Sequence, residues 1–130
     1  MLAVSNYSQE HVDRTRRRIE ADTAAFAAAG GGSADAEAAF FNNMVLALDH
    51  YFLHRVRKQE GKDGNALNEV RVLCDSLTEN DGVFTGAGTL KLKPEETVLG
   101  LEPGDPIRLT ADGFRRLANG FLAEIEARYS

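Results

Sequence analysis

The run Phe40-Phe41-Asn42-Asn43-Met44-Val45-Leu46-Ala47-Leu48-Asp49-His50-Tyr51-Phe52-Leu53-His54-Arg55-Val56 decides the fold. Wound at about 100° per residue, it is apolar around most of its circumference, with one aspartate and two histidines set into it. A helix of that kind belongs at the centre of a helical assembly. Phe41, Met44, Val45, Leu48, Phe52 and Val56 cluster on one side, whereas Leu46 and Leu53 point well away from it. The second apolar side needs cover, either from chain beyond the third helix or from a second copy of the molecule. The pattern therefore predicts a homodimer through helix 34–58.

Working outward, Ser8 is placed to cap a first helix, with Val12, Ile19 and Phe26 in one stripe. The triplet Gly30-Gly31-Gly32 ends it, and Ser33 caps the second helix. Asn65 caps a third helix that aligns Leu67, Val70, Leu73, Cys74 and Leu77, and Asn80-Asp81-Gly82 closes it. Beyond Val83 the pattern changes. Gly and Pro punctuate short runs, Thr89-Leu90-Lys91-Leu92 and Ile107-Arg108-Leu109, that alternate as small strands do. Thr110 then caps a last helix whose stripe is Phe114, Leu117, Ala118, Phe121, Leu122, Ile125 and Tyr129. The expected fold is mainly α, one domain over residues 1–130, with helices at about 8–29, 34–58, 66–79 and 111–128. Short connections make it an up-down four-helix bundle, with a short β-hairpin or ordered loop insertion at 83–109 between helices three and four.

The composition suits a single globular domain: 130 residues, 43% hydrophobic and 27% charged. A formal charge of −5 gives no general reason to expect nucleic acid, which demands accumulated Lys and Arg. The N-terminus passes into charged residues without the apolar run of a secretory signal, and no stretch is long and apolar enough to span a membrane. One cysteine, Cys74, excludes an internal disulfide. These features imply a cytoplasmic protein.

Chemistry-bearing residues concentrate in helix two. His50 and His54 are four apart, the spacing at which two imidazoles stack on one helix face and grip one metal, and Asp49 is near enough to ligate or to orient an imidazole. A hairpin about the triple glycine brings His11 to the same level. A three-histidine cluster in a helical bundle resembles the DinB-like metal-binding proteins in residue type. The competing expectation is that these histidines sit at an interface or rim, hydrogen-bonded and without cofactor. The metal reading takes a divalent transition metal such as zinc on His50, His54, His11 and Asp49.

The loop Gly61-Lys62-Asp63-Gly64-Asn65 reads as a turn and an N-cap, because Asp63 and Glu69 oppose an anion there. The helix after it, Asn68-Glu69-Val70-Arg71-Val72-Leu73-Cys74-Asp75-Ser76, resembles the late helix of HEPN-type proteins, whose ribonuclease members carry an Arg followed by four residues and a His. Here Arg71 stands at the Arg position and Ser76 at the His position. The resemblance thus implies a dimeric helical bundle without that acid/base group.

Arg14, Arg16, Arg17 and Arg18, with Arg55, Arg57 and Lys58, can make a basic patch, yet no aromatics are interleaved to stack bases, which argues against nucleic acid. Cys74 lies on an apolar face, where it packs as a small hydrophobe. The sequence reading is therefore a homodimeric binding or interaction protein, with a metal-binding protein or metal-dependent enzyme on His50 and His54 as the alternative.

Overall fold

In the computed structural model, residues 3–85 and 92–130 are described. They form α1 (Gln9–Ala28), α2 (Ala34–Tyr51), a single turn α3 (Arg57–Glu60), α4 (Ala66–Glu79), a 3-10 turn at Pro94–Glu96 and α5 (Ala111–Arg128). The fold is mainly helical, with no strand or sheet among the described residues.

The four long helices begin where short polar side chains satisfy free N–H groups. Ser8, Ser33, Asn65 and Thr110 accept from the backbone of His11, Ala36, Leu67 and Gly113. Between α1 and α2, Gly30, Gly31 and Gly32 all hold positive φ (101°, 73° and 62°), a turn that side chains would strain. The hairpin runs antiparallel: Phe26 stacks on Phe40 with centroids 4.7 Å apart at one end, and the His11 imidazole meets the Tyr51 carbonyl at the other.

Helix α5 lies alongside α2 in the same direction, Phe114 packing on Phe41 and Phe121 on Phe52. Both also pack on α4, and α5 on α1. Phe41, Val45, Leu48, Leu67, Val70, Leu73, Phe114, Leu117 and Phe121 are fully buried between them. The sequence stripes of α4 and α5 thus face one shared core.

Helix two does not reach residue 58. It stops at Tyr51, with Phe52 and Leu53 donating to the Asp49 and His50 carbonyls in tightened turns, and His54 then takes φ 64°. This left-handed turn, made without a glycine, aims Arg55 inward, where it is 6% exposed. Residues 54–56 pair with the N-terminal arm instead: Val4 donates to His54 (2.7 Å) and Val56 donates to Val4 (2.9 Å). The second apolar side of the expected long helix shrinks accordingly. Leu46 is half-buried, and Leu53, 44% exposed, lies beyond the helix end.

The expected hairpin between α4 and α5 is not formed by the described part of 83–109. Residues 89–91 lie outside the described residues, and elsewhere the segment shows one isolated bridge, Val83 with Pro106. Helix side chains hold it. Asn42 Nδ2 donates to the Ile107 carbonyl (2.8 Å), and Asn42 Oδ1 accepts from the Leu109 N–H (3.1 Å), as a neighbouring strand would. Glu69 accepts from Val98 and Leu99, Glu37 from Ala111, and Ser76 from Thr85. Ile107 and Leu109 are buried and Arg108 is exposed, so the alternation in sequence is real; the Ile107 N–H bonds to the Gly82 carbonyl, and the Asn42 amide takes the Ile107 carbonyl and the Leu109 N–H in place of a further strand.

Two outcomes follow. Asn42→Leu leaves an N–H and a carbonyl without partners and lowers stability by about 2 kcal/mol in urea unfolding, with the slope unchanged. Burial raises the Glu69 carboxyl above its ordinary value, against the lowering effect of the Leu99 and Val98 N–H groups. Such a group stabilises fully below its unfolded value of 4.5 and loses that contribution as pH climbs through the folded one. The stability advantage of wild type over Glu69→Gln is therefore greatest near about pH 4 and shrinks toward neutrality, as paired urea titrations would show.

Candidate ligand-binding cleft

The turn after α2, the single-turn α3 and α4 meet around one buried carboxylate. Glu60 is 1% exposed and accepts from Arg55 Nε (3.1 Å), Arg71 Nε (3.2 Å) and Arg71 Nη2 (2.5 Å). Arg55 also donates through Nη1 to Asp49 Oδ1 (2.8 Å) and to the Phe52 carbonyl (3.3 Å), while its guanidinium carbon lies 5.1 Å from the centre of the Phe121 ring. Its Nη2 has no hydrogen-bond partner among the described residues. Burial works against the charged form of Arg71, but the hydrogen bonds and charge of Glu60 outweigh it and hold that arginine above its ordinary value.

The main chain around this cluster is fastened to α5. Arg128 Nη1 donates to the Glu60 carbonyl (2.9 Å), Gln59 Nε2 to the Arg128 carbonyl (2.5 Å), and the Tyr129 hydroxyl to the Val56 carbonyl (2.5 Å). Burial pushes the Tyr129 hydroxyl up to about 12, so it stays a donor. The N-terminal arm closes the other side: Tyr7 donates its N–H to the Tyr129 carbonyl (2.6 Å) and its hydroxyl to the Leu53 carbonyl (3.2 Å).

Over this base opens a cleft of about 430 Å³, lined by Asp49, Leu53, His54, Arg55, Arg57 and Arg71, with Ala3 and Val56 adding apolar wall. Arg57 is exposed and makes no ion pair among the described residues, and Arg71 Nη1 has no partner there either. His54 contributes an exposed imidazole from a backbone conformation that non-glycine residues seldom hold.

Of the four residues expected to bind metal, the structure brings Asp49 and His54 to this cleft and leaves the other two elsewhere. His50 is exposed on the last turn of α2, and the end of the helix before His54 removes the four-residue register between them. His11 donates Nε2 to the Tyr51 carbonyl (2.8 Å) and lies against Tyr7 and Phe52. Among the described residues, no group of three or more His, Cys, Asp or Glu is placed to hold a metal ion. Sequence reasoning placed Arg55 in a surface basic patch, whereas it is 6% exposed, and did not single out Glu60; the available signal was a lone arginine inside an apolar run, followed five residues later by a carboxylate.

Other candidates resolve into structure. At the HEPN-like positions, Ser76 is fully buried and its hydroxyl accepts from the Thr85 N–H, while Arg71 pairs with Glu60 and also lines the cleft. Asn65 ties its loop together through Glu60 and Asp63, as a turn and cap require. Arg14 and Arg16 pair with Glu10, Asp13 and Glu126, and Arg18 lies over the Tyr51 ring. Burial pushes the Cys74 thiol up to about 12, so it remains protonated and unreactive. A second groove of about 400 Å³ runs between α1 and α5 over Ile19, Ala24, Ala27, Ala118 and Leu122, with Arg16 at its edge already paired. No helix is long and apolar enough to cross a membrane among the described residues.

Comparison with protein-family models, with curated proteins and with solved structures finds no match for this chain. The functional reading therefore rests on the cleft.

The strained turn is testable by exchange at one position. His54→Gly keeps or raises the melting temperature, because relief of about 1 kcal/mol of left-handed strain offsets the added chain entropy, whereas His54→Val lowers it. Equal losses for both would show that the turn is not held at positive φ.

Proposed function

We propose that this chain is a ligand-binding protein built on an up-down four-helix bundle, with a small polar molecule as its ligand in the cleft beside residues 53–57. The supporting observation is the donor capacity left over there. Glu60 and Asp49 engage Arg55 and part of Arg71, and the remaining guanidinium edges, with the His54 imidazole, face a cavity of the size small ligands occupy. Leu53, Val56 and Ala3 give it an apolar wall for a compact hydrocarbon part.

Rigidity favours the same reading. The groups at the rim are positioned by a buried ion-pair cluster and by hydrogen bonds to α5 and the N-terminal arm, so little ordering remains to be done on binding. A zinc ion on Asp49 and His54 would sit among Arg55, Arg57 and Arg71, whose charge opposes it. The homodimer expected through residues 34–58 loses part of its apolar basis, because Leu46 is half-buried and Leu53 lies beyond the end of α2.

A fragment screen read by heteronuclear NMR tests the proposal. Binders are expected to move the His54 imidazole and Arg71 side-chain resonances saturably. Binders that map instead to the groove between α1 and α5, or a complete lack of binders, would overturn it.

A further inference from the structure

Resting on that reading of the cleft, we infer that its ligand carries an oxyanion, a carboxylate or a phosphate, held between Arg57 and Arg71. Three guanidinium groups meet two carboxylates here, and both carboxylates are already engaged. Glu60 lies beneath the cleft with both oxygens accepting from arginine, and Asp49 Oδ1 accepts from Arg55. The positive charge left over belongs to Arg57, which has no partner among the described residues, and to the Nη1 edge of Arg71.

The two arginines differ in a way that suits anion recognition. Glu60 fixes the Arg71 plane through two of its nitrogens, so its free edge is presented in one orientation and loses little entropy on binding. Arg57, on α3, lines the same cleft with an exposed side chain that can move to meet the second oxygen. Planar N–H edges match the geometry of carboxylate and phosphate oxygens and form charge-assisted bonds with them. His54, at the same rim, adds a further N–H donor. A cationic ligand finds no carboxylate there that is not already paired with arginine.

Inorganic phosphate and succinate serve as probes, titrated into the full chain at low ionic strength with chloride as the matched control, and read by the His54 resonance and by the melting temperature. Saturable binding of either probe is expected, and the probe bound more tightly tells phosphate from carboxylate. Arg57→Gln should weaken that binding by about tenfold without lowering the melting temperature, since one charge-assisted contact is lost. Arg71→Lys retains charge but loses the planar edge and should weaken it as well, while Arg115→Gln, at an exposed arginine that lines the groove between α1 and α5, should leave it unchanged. Phosphate and succinate that bind no better than chloride, or with affinity indifferent to Arg57, overturn the inference. Neutral or cationic fragments that move His54 in that case preserve the cleft as a binding site and remove only the anion.

Discussion

A carboxylate buried at 1% exposure, shared by two arginines from different parts of the chain, is the constraint on which the rest of this structure depends. Removing charges from water costs several kcal/mol per ion, and attraction repays it only where geometry is good and the remaining hydrogen-bonding sites are filled. Glu60 meets that condition by accepting from three guanidinium nitrogens, whereas Arg55 reaches Asp49, the Phe52 carbonyl and the Phe121 ring but leaves its Nη2 without a hydrogen-bond partner among the described residues. Arg55 attains this place only because α2 ends at Tyr51 and the chain reverses through His54. The early stop, the strained histidine, the pairing with Val4 and the single turn of α3 thus have one cause. The cleft is the outer surface of that arrangement.

A second use of polar side chains governs the passage from α4 to α5. Backbone groups in an irregular segment must find partners, and strands are one solution. Here Ser76, Glu69, Asn42 and Glu37 supply them from the helices, so the segment follows the helical surface without a sheet among the described residues. Glu69 carries the same tension as Glu60, a carboxylate drawn out of water to serve other groups. Burial outweighs the Leu99 and Val98 N–H groups and the charge of Arg116, and raises the Glu69 carboxyl.

What the sequence made legible were features written in local chemistry. The four N-caps, the triple glycine turn and the apolar stripes of α4 and α5 each depend on residues close in the chain, and each is found. The end of α2 was hidden because neither Gly nor Pro marks it; the apolar period continues through Phe52 and Val56 while the backbone has already turned. That reversal depends on Glu60, Arg71 and Phe121, which only tertiary structure brings together. The helical register of the histidine pair ended with it, since four-residue spacing places two imidazoles on one face only along an unbroken helix. Asp49 and His54 nevertheless reach the cleft, by a route that spacing could not reveal. The alternation of Ile107, Arg108 and Leu109 reports burial truly, but burial does not distinguish a partner strand from an asparagine side chain.

The central claim is that Arg55 and Glu60 act as a unit that holds the turn, and a double-mutant cycle measures this directly. Arg55→Met and Glu60→Gln, singly and together, are compared in urea unfolding. Each single change should cost about 3–5 kcal/mol by leaving a buried charge uncompensated, and the double change should cost less than their sum by about 2 kcal/mol or more. Costs that add to within about 0.5 kcal/mol would contradict the account, because the two side chains would then be independent.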